Sequence, residues 1–376
     1  MRSDQKRPEA HVPGLDGLRG MAAYMVVISH VSNSTGLWNA LLGIGGGQVG
    51  VMIFFTLSGY LLAALYLRTE VTTANVRDYA VRRIARVLPL FFFAVTVALF
   101  FAFTSAVTAF GFDPYAFGFD QALRHYALIS GTGVFWTIPV EMHFYVIFVL
   151  LWWLHSKSRT LVIAFAAFWI LIYWALPVTV PERPRTLPYY LVFFLCGMLV
   201  NYFVRIDAGP TKSRMLSVVL SGCFLLPFLL YPNIYAAVIG KSGWLLRAEY
   251  QQMWHDPRYP LAAALCLAAA LCARPVRTIL SHRIMVYAGK ISYSVYLLHI
   301  PAIAALMQFT SLYRYPFAFL MTALFLTTLL AMMTYAKLEY PMRRLIVRKF
   351  SSARSENPAV AGPADGSAPA AHGLKR

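Results

Sequence analysis

Long apolar runs separated by short polar connections dominate this chain. Ten runs can be placed, most of them of about the length, roughly 20 residues, that a helix needs to cross hydrocarbon. The pattern predicts an all-α polytopic membrane protein with about ten transmembrane helices. The runs lie near residues 20–36, 48–67, 88–110, 134–154, 160–177, 188–204, 215–239, 260–273, 291–309 and 316–336.

The distribution of positive charge predicts the orientation of these helices. If the N-terminus is cytoplasmic, most of the 33 Lys and Arg residues fall in connections on the cytoplasmic side, for example in residues 68–86 and 274–290. Cytoplasmic loops of membrane proteins are enriched in these residues. We therefore expect both termini to be cytoplasmic. The same distribution explains the net charge of +18 without a nucleic acid, although basic loops would attract anionic membrane lipids.

The composition sets limits on domain organisation. A chain with 59% hydrophobic and 13% charged residues is not a soluble globular protein. Residues 1–18 are expected to form a cytoplasmic leader without a cleavable signal, and residues 19–350 a single transmembrane domain. Residues 351–376, rich in Ala, Pro, Ser and Gly, are expected to be a disordered cytoplasmic tail. The sequence shows no second soluble domain, so any chemistry would belong to the membrane domain.

Ionisable residues inside apolar runs are costly unless they are paired, hydrated or functional. Arg19 and His30 are separated by ten residues of one predicted helix, which corresponds to a rise of about 16 Å. This rise carries His30 from the cytoplasmic edge to near the middle of the bilayer. An imidazole there can act as a general base on a hydroxyl group. The alternative is a buried histidine that bonds to a neighbouring helix.

A basic segment, YAVRRIARVLP at residues 79–89, precedes the third predicted span. Arg83 and Arg86 are three residues apart and share one face of a helix, whereas Arg82 points elsewhere. Two guanidinium groups at a cytoplasmic helix entrance suit the binding of phosphate groups. The alternative is that these residues only set the topology.

Glu141 belongs to the segment FWTIPVEMHFY, residues 135–145, at the opposite end of the fourth predicted span. A carboxylate at this depth requires a partner, and His30 could approach it from the other side. We therefore expect a dyad in which Glu141 orients His30 and stabilises its charged form. The alternatives are a structural ion pair and a protonated, hydrogen-bonded carboxyl group.

Two further segments contain candidate supporting residues. Ser58 and Gly59 are small enough to allow close helix contact, and the hydroxyl of Ser58 is a candidate supporting group. His299, in the ninth predicted span, could support the polar interior or form an interhelical hydrogen bond. HExxH and CxxC motifs are absent from the sequence, so no catalytic metal is expected.

Together these motifs resemble the acyltransferase-3 family of bacterial integral membrane acyltransferases, over about residues 13–350. Arg19 and His30, after LDGLRG, match the family pattern of a basic residue, ten intervening residues and a histidine. Arg83 and Arg86 match its Arg-x-x-Arg pattern. The run SYSVYLLH, which ends in His299, is also similar to the family. The residues that match its FW-x-x-x-VE-x-x-FY segment are Phe135, Trp136, Val140, Glu141, Phe144 and Tyr145.

The resemblance implies an O-acyltransferase of the bacterial inner membrane. Acyl-CoA, expected to be acetyl-CoA, would bind through Arg83 and Arg86 with help from Arg19, and no permanently bound cofactor is implied. His30 would be the general base or a transient acyl carrier, with Glu141 orienting it. Supporting or acceptor-binding roles are expected for His299, Ser58 and Tyr145.

The acceptor implied by the resemblance is a hydroxyl group of an extracytoplasmic or lipid-linked carbohydrate, such as a polysaccharide, lipopolysaccharide intermediate or glycolipid. A variant of the family carries an additional soluble domain that receives the acyl group. Because this sequence ends in a short tail, direct transfer by the membrane domain is expected.

A polytopic transporter or flippase for a glycolipid or small anionic substrate is the alternative function. Ten spans with ionisable residues near the middle of the membrane would serve it equally well. The two halves of the sequence show no repeat symmetry, which disfavours this alternative. Turnover that depends on a thioester would distinguish the two functions.

Overall fold

The computed structural model describes residues 12–38, 45–108, 111–116, 118–175, 185–204, 209–231, 234 and 253–351. Within these ranges all regular structure is helical, which confirms the all-α class for the described part. Residues 1–11 of the predicted leader, the end of the seventh predicted span and residues 352–376 of the predicted tail lie outside it. The α-helices are α1 (Pro13–Thr35), α2 (Gly46–Tyr66), α3 (Thr73–Val107), α4 (Phe119–Tyr126), α5 (Thr137–Lys157), α6 (Arg159–Ala175), α7 (Leu191–Phe203), α8 (Arg214–Phe224), α9 (Leu226–Leu229), α10 (Arg258–Cys272), α11 (Arg274–Leu280), α12 (Arg283–Phe309), α13 (Pro316–Thr334) and α14 (Tyr340–Phe350).

Three short 3₁₀ segments and one π-helical turn complete the described helical structure. Gly133–Trp136 leads into α5, Leu187–Tyr189 precedes α7, and Leu312–Arg314 precedes α13. The π-helical turn, Tyr335–Glu339, joins α13 to α14. Helix α13, the π-helical turn and α14 therefore form one nearly continuous helix of 35 residues.

Five helices of the described chain are long and apolar enough to cross a membrane. They are α2, α3, α5 with its 3₁₀ segment, α12, and the composite helix from α13 to α14. Helices α10 and α11 taken together are also long and apolar enough for one span, but the pair is bent by 84°. The chain is therefore a multi-pass membrane protein with five or six candidate spans among the described residues, and the predicted number of ten is not confirmed. Helices α6 and α7, with 17 and 13 residues, are apolar but shorter.

Helix α1 is 23 residues long but is not among the apolar spans. It begins within the predicted leader, with Pro13 in its first turn, where the missing N–H costs no helical hydrogen bond. Asp16 in the same turn interacts favourably with the positive end of the helix dipole. The helix ends at Gly36, whose φ of 74° suits glycine. Its most extensive packing is against α12, and it also packs against α2.

Glycine residues allow the central helices to approach closely. A Cβ atom added to Gly20 of α1 would overlap the backbone of Gly289 in α12. A Cβ atom at Gly59 of α2 would overlap the carbonyl group of Phe194 in α7, and one at Gly197 would overlap the carbonyl of Thr56. The prediction that Gly59 permits close helix contact is confirmed.

Helix α3 begins earlier than the sequence predicted. The basic segment 79–89 lies inside this 35-residue helix, not before it, and Thr72 caps its N-terminus by accepting from the N–H of Asn75. Pro89 lies inside the helix, where a proline removes one backbone hydrogen bond. Nearby, the carbonyl of Val87 accepts a hydrogen bond from the hydroxyl of Tyr293 at 2.8 Å. At 1.5 Å per residue, α3 is longer than the roughly 30 Å of hydrocarbon in a bilayer. Helix α14 packs beside it.

Candidate functional site

A pocket lies where α1, α2, α3, α5 and α12 meet, and its empty volume, including the open mouth, is about 750 Å³. It brings together five of the eight residues that the sequence suggested for the site, from four different helices. Most of the other lining side chains are apolar or aromatic. The five predicted residues that line it are Arg19, Ser58, Arg83, Arg86 and Glu141.

Arg83 and Arg86 enter the pocket from the same face of α3, as their spacing predicted, whereas Arg82 is not among the lining residues. Arg83 is 9% exposed, and its guanidinium carbon lies 5.9 Å from the ring centre of Tyr66 and 6.0 Å from that of Tyr145. These cation–π contacts hold a charged group in an apolar setting. Arg86 is half-buried. The pair therefore presents two guanidinium groups to the pocket.

Arg19 adds a third guanidinium group from α1. Its Nη1 donates to Oδ1 of Asp16 at 3.0 Å, one turn earlier in the same helix. Arg19 also interacts electrostatically with Arg86 and Glu141. Like charges that line one pocket repel each other, and a bound anion offsets this repulsion. A pocket with three such groups is suited to a polyanionic ligand.

Glu141 is held by hydroxyl groups in the structure. Its Oε1 accepts a hydrogen bond from Ser58 Oγ at 3.0 Å, across the contact between α2 and α5. The same oxygen accepts from the hydroxyl of Tyr145 at 2.6 Å, one helical turn along α5. Tyr145 does not line the pocket, but it supports both Glu141 and the nearby Arg83. The hydrogen bonds orient the carboxylate within the pocket wall.

His30 and His299 form a separate polar pair. Their ring centroids are 5.0 Å apart, with α1 supplying one ring and α12 the other. His30 is half-buried and His299 is fully buried, and neither residue lines the pocket. The structure does not show the predicted contact between His30 and Glu141; the hydrogen-bond partners of Glu141 are Ser58 and Tyr145. The proximity of the two predicted histidines depends on the close packing of α1 on α12.

The tautomer of His299 follows from its hydrogen bond. Its Nδ1 lies 2.7 Å from the carbonyl oxygen of Tyr296, so Nδ1 must carry the proton. In the neutral ring Nε2 is then a hydrogen-bond acceptor. Among the described residues, this buried Nε2 has no hydrogen-bond partner. The ring can therefore accept a hydrogen bond from a donor that reaches it, such as an N–H group of His30.

Tyr293 and Tyr296 are site residues that sequence reasoning did not identify. Both line the pocket, and the ring of Tyr296 lies 6.0 Å from that of His299. The hydroxyl of Tyr296 donates to the carbonyl of Val134 at 2.9 Å. Tyr296 thus stands between the pocket and the histidine pair. The signal was present in the sequence, because residues at intervals of three share one face of a helix.

Glu339 was also missed. It ends the π-helical turn, and its Oε2 accepts a hydrogen bond from Ser294 Oγ at 2.7 Å. The residue lies just beyond the last predicted apolar run, where the sequence predicts a carboxylate on the cytoplasmic surface. A π-helical turn cannot be recognised from residue spacing alone, so this placement had no usable sequence signal.

The charged groups that converge in the pocket are suited to binding phosphate. No group of three or more His, Cys, Asp or Glu side chains within the described ranges could hold a metal ion. The converging polar groups are guanidiniums, which bind phosphate by paired, charge-assisted hydrogen bonds.

Comparison with known proteins identifies the family. The sequence model of the acyltransferase-3 family, described as "Acyltransferase domain", matches residues 12–336. The chain belongs to the acyltransferase-3 family. This match covers most of the chain and includes every site residue named above except Glu339. No solved structure matches the chain.

Several relatives are bacterial. The chain is 25% identical to O-acetyltransferase OatA of Staphylococcus aureus over 386 aligned positions, which cover 91% of this chain and 58% of OatA. It is 26% identical to YrhL of Bacillus subtilis, provisionally named a peptidoglycan O-acetyltransferase, with coverage of 91% and 56%. The chain therefore spans a little more than half the length of these relatives.

Proposed function

We propose that this protein is a membrane O-acyltransferase that moves an acyl group from acyl-CoA to a hydroxyl group of a carbohydrate. The observation that carries this proposal is the pocket in which three guanidinium groups converge beside Glu141 and Ser58. Membership of the acyltransferase-3 family and similarity to named O-acetyltransferases support the same reaction class.

The orientation of the chain determines which face of the membrane the donor uses. We propose that both termini are cytoplasmic and that the chain crosses the bacterial inner membrane about ten times, with the shorter apolar helices contributing spans. The distribution of Lys and Arg supports this orientation. It places the basic part of α3 at the cytoplasmic side, where acyl-CoA is made.

Donor binding would use the arginines for phosphate and the apolar walls for the pantetheine chain. Arg83 and Arg86 can each bind phosphate oxygens, and Arg19 of α1 lines the same pocket. Val51, Phe54 and Leu57 line the pocket and can contact the uncharged part of the donor. The thioester would then extend past Tyr296 towards the histidine pair.

His30 would act as the general base. Its imidazole nitrogen takes the proton of the acceptor hydroxyl, whose oxygen attacks the thioester carbonyl carbon. The carbon–sulfur bond then breaks, and the CoA thiolate recovers the proton from the imidazolium. His299 replaces Glu141 as the group that orients His30, because the rings of the two histidines lie 5.0 Å apart. Glu141 would hold Ser58 and balance the arginine charge.

The acceptor is proposed from the chemistry of the relatives. OatA is named an O-acetyltransferase, and YrhL carries a provisional name as a peptidoglycan O-acetyltransferase. We therefore expect acetyl to be the transferred group, and an extracytoplasmic glycan or a lipid-linked sugar to be the acceptor.

The donor site can be tested with purified full-length protein in lipid nanodiscs. Release of free CoA from acetyl-CoA is measured as a function of donor concentration, with an acceptor glycan present. Arg83→Ala and Arg86→Ala should each raise the KM for acetyl-CoA by about ten- to a hundredfold, because each removes a charge-assisted contact with phosphate. Arg82→Ala is the matched control and should leave the KM unchanged.

Two results would contradict the proposal. Equal effects of Arg82→Ala and Arg86→Ala would show that net charge, not the pocket, matters. Movement of an intact glycolipid across the membrane without any use of a thioester would support a flippase instead.

A further inference from the structure

Glu339 occupies an unusual position in the helix that runs from α13 to α14. The π-helical turn Tyr335–Glu339 adds one residue to this helix, which rotates the following side chains by about 100°. Such turns are frequent at functional sites. The turn packs against α3, which carries Arg83 and Arg86, and against α12.

A hydrogen bond fixes the carboxylate of Glu339 to α12, next to residues that line the pocket. The donor is Ser294 Oγ, which is fully buried in α12 and lies 2.7 Å from Oε2. Ser292 and Tyr293, just before it, line the pocket. Neither Ser294 nor Glu339 lines the pocket itself, but the bond anchors Glu339 to the turn of α12 that contributes Ser292 and Tyr293 to the lining.

The charges that face Glu339 are mostly cationic. Arg343, one helical turn further along, and Arg86 and Arg19 of the pocket lie within electrostatic range of its carboxylate. Arg343, on α14, also interacts with Arg83 and Arg86. Four guanidinium groups thus share the region in which Glu339 lies. Asp16 forms an ion pair with Arg19, and Glu141 is held by hydroxyl groups on another side.

We propose that Glu339 is a second resident counter-charge of the donor site, in addition to Glu141: its carboxylate offsets the arginine cluster when the pocket is empty and weakens the retention of CoA after transfer. The inference rests on the proposed use of acyl-CoA. Glu339 acts through the arginines and does not contact the reacting atoms, so it is a positioning residue. A carboxylate near phosphate-binding cations opposes phosphate binding and thereby favours release of the product.

This role predicts that loss of the charge at Glu339 strengthens CoA binding, which a purely structural role does not predict. Glu339→Gln keeps the shape and the acceptance of a hydrogen bond from Ser294, but removes the charge. CoA should then bind more tightly, with a Kd lower by about tenfold, the size expected for loss of one partly screened charge interaction. The KM for acetyl-CoA should fall in parallel, and kcat should fall because CoA leaves more slowly.

The experiment measures binding of free CoA by titration calorimetry on the full-length protein in nanodiscs. Glu339→Asp retains the charge and should remain near the wild-type Kd. Glu70→Gln, at an exposed carboxylate outside the pocket lining, is the control for a change of one charge and should have no effect. Higher salt should reduce the difference between wild type and Glu339→Gln, because screening weakens the lost interaction.

The outcomes separate this inference from the proposed function. If the wild-type protein does not bind CoA, the proposed donor is wrong and the inference falls with it. If the wild type binds CoA but Glu339→Gln binds it equally or more weakly, only the inference is overturned. If Glu339→Gln does not fold, Glu339→Ala replaces it, since it also removes the charge and should also tighten CoA binding.

Discussion

The contact between α2 and α7 allows a sharp test of how packing positions the site. Gly59 lies directly after Ser58, whose hydroxyl donates to Glu141 at 3.0 Å. Gly59→Ala adds one methyl group where the carbonyl of Phe194 leaves no room. The two helices must separate, and α2 must carry Ser58 with it.

The expected magnitude follows from this geometry. Overpacking of a close contact typically costs about 1–3 kcal/mol of stability. The neighbouring backbone cannot yield as a flexible side chain would, so we expect a value towards the upper end. A displacement of about 1 Å at a reaction site can reduce turnover by about a hundredfold. Gly59→Ala should therefore lower both the thermal stability and the kcat for acyl transfer.

Gly222→Ala is the matched control, because a Cβ atom at Gly222 of α8 meets nothing within 4 Å. Alanine there should be neutral or should stabilise the helix by up to about 1 kcal/mol. Thermal unfolding and acetyl transfer would be measured for both variants in nanodiscs. The reasoning is refuted if Gly59→Ala behaves like Gly222→Ala in both assays.

Two further predictions concern histidines. His299→Ala should reduce kcat by about a hundredfold and leave the KM for acetyl-CoA unchanged, because it removes the group that orients His30; a raised KM with normal kcat would contradict this role. In α4, burial lowers the pKa of His125 to about 4, and its Nε2 accepts from the N–H of Thr132 at 2.9 Å. The unfolded residue takes up a proton below about pH 6.5 while the folded one does not, so acid destabilises this segment by up to about 2 kcal/mol at pH 5. Hydrogen exchange around His125, corrected for intrinsic rates, should accelerate from pH 7 to pH 5 in the wild type and stay flat in His125→Gln.

The positions of the helices, and the fact that Arg83 and Arg86 share one helix face, could be predicted from the sequence because both depend on the spacing of nearby residues. Apolar runs located every described helix that is long enough to span a membrane, and the interval of three residues placed Arg83 and Arg86 in one pocket. The number of spans was less predictable, since α10 and α11 form a helix pair bent by 84°.

The partners of the buried polar groups could not be predicted, because they depend on how helices distant in the sequence pack. Topology allowed His30 to meet Glu141 from the other side of the membrane. The glycine contact between α1 and α12 instead brings His30 to His299, while α2 supplies Ser58 to Glu141. The role of Glu339 depended on a π-helical turn, which has no sequence signal of its own.

The most direct test of the proposed acyl transfer is mass spectrometry of cell-envelope glycans and glycolipids. Strains that carry the wild-type gene, no gene and His30→Ala would be compared, with expression and membrane insertion of the variant verified. The proposal predicts an acyl mass increment in the wild type that is lost in both other strains. An unchanged acyl pattern, with an unmodified glycan or lipid accumulating on the cytoplasmic side in the deletion strain, would contradict it.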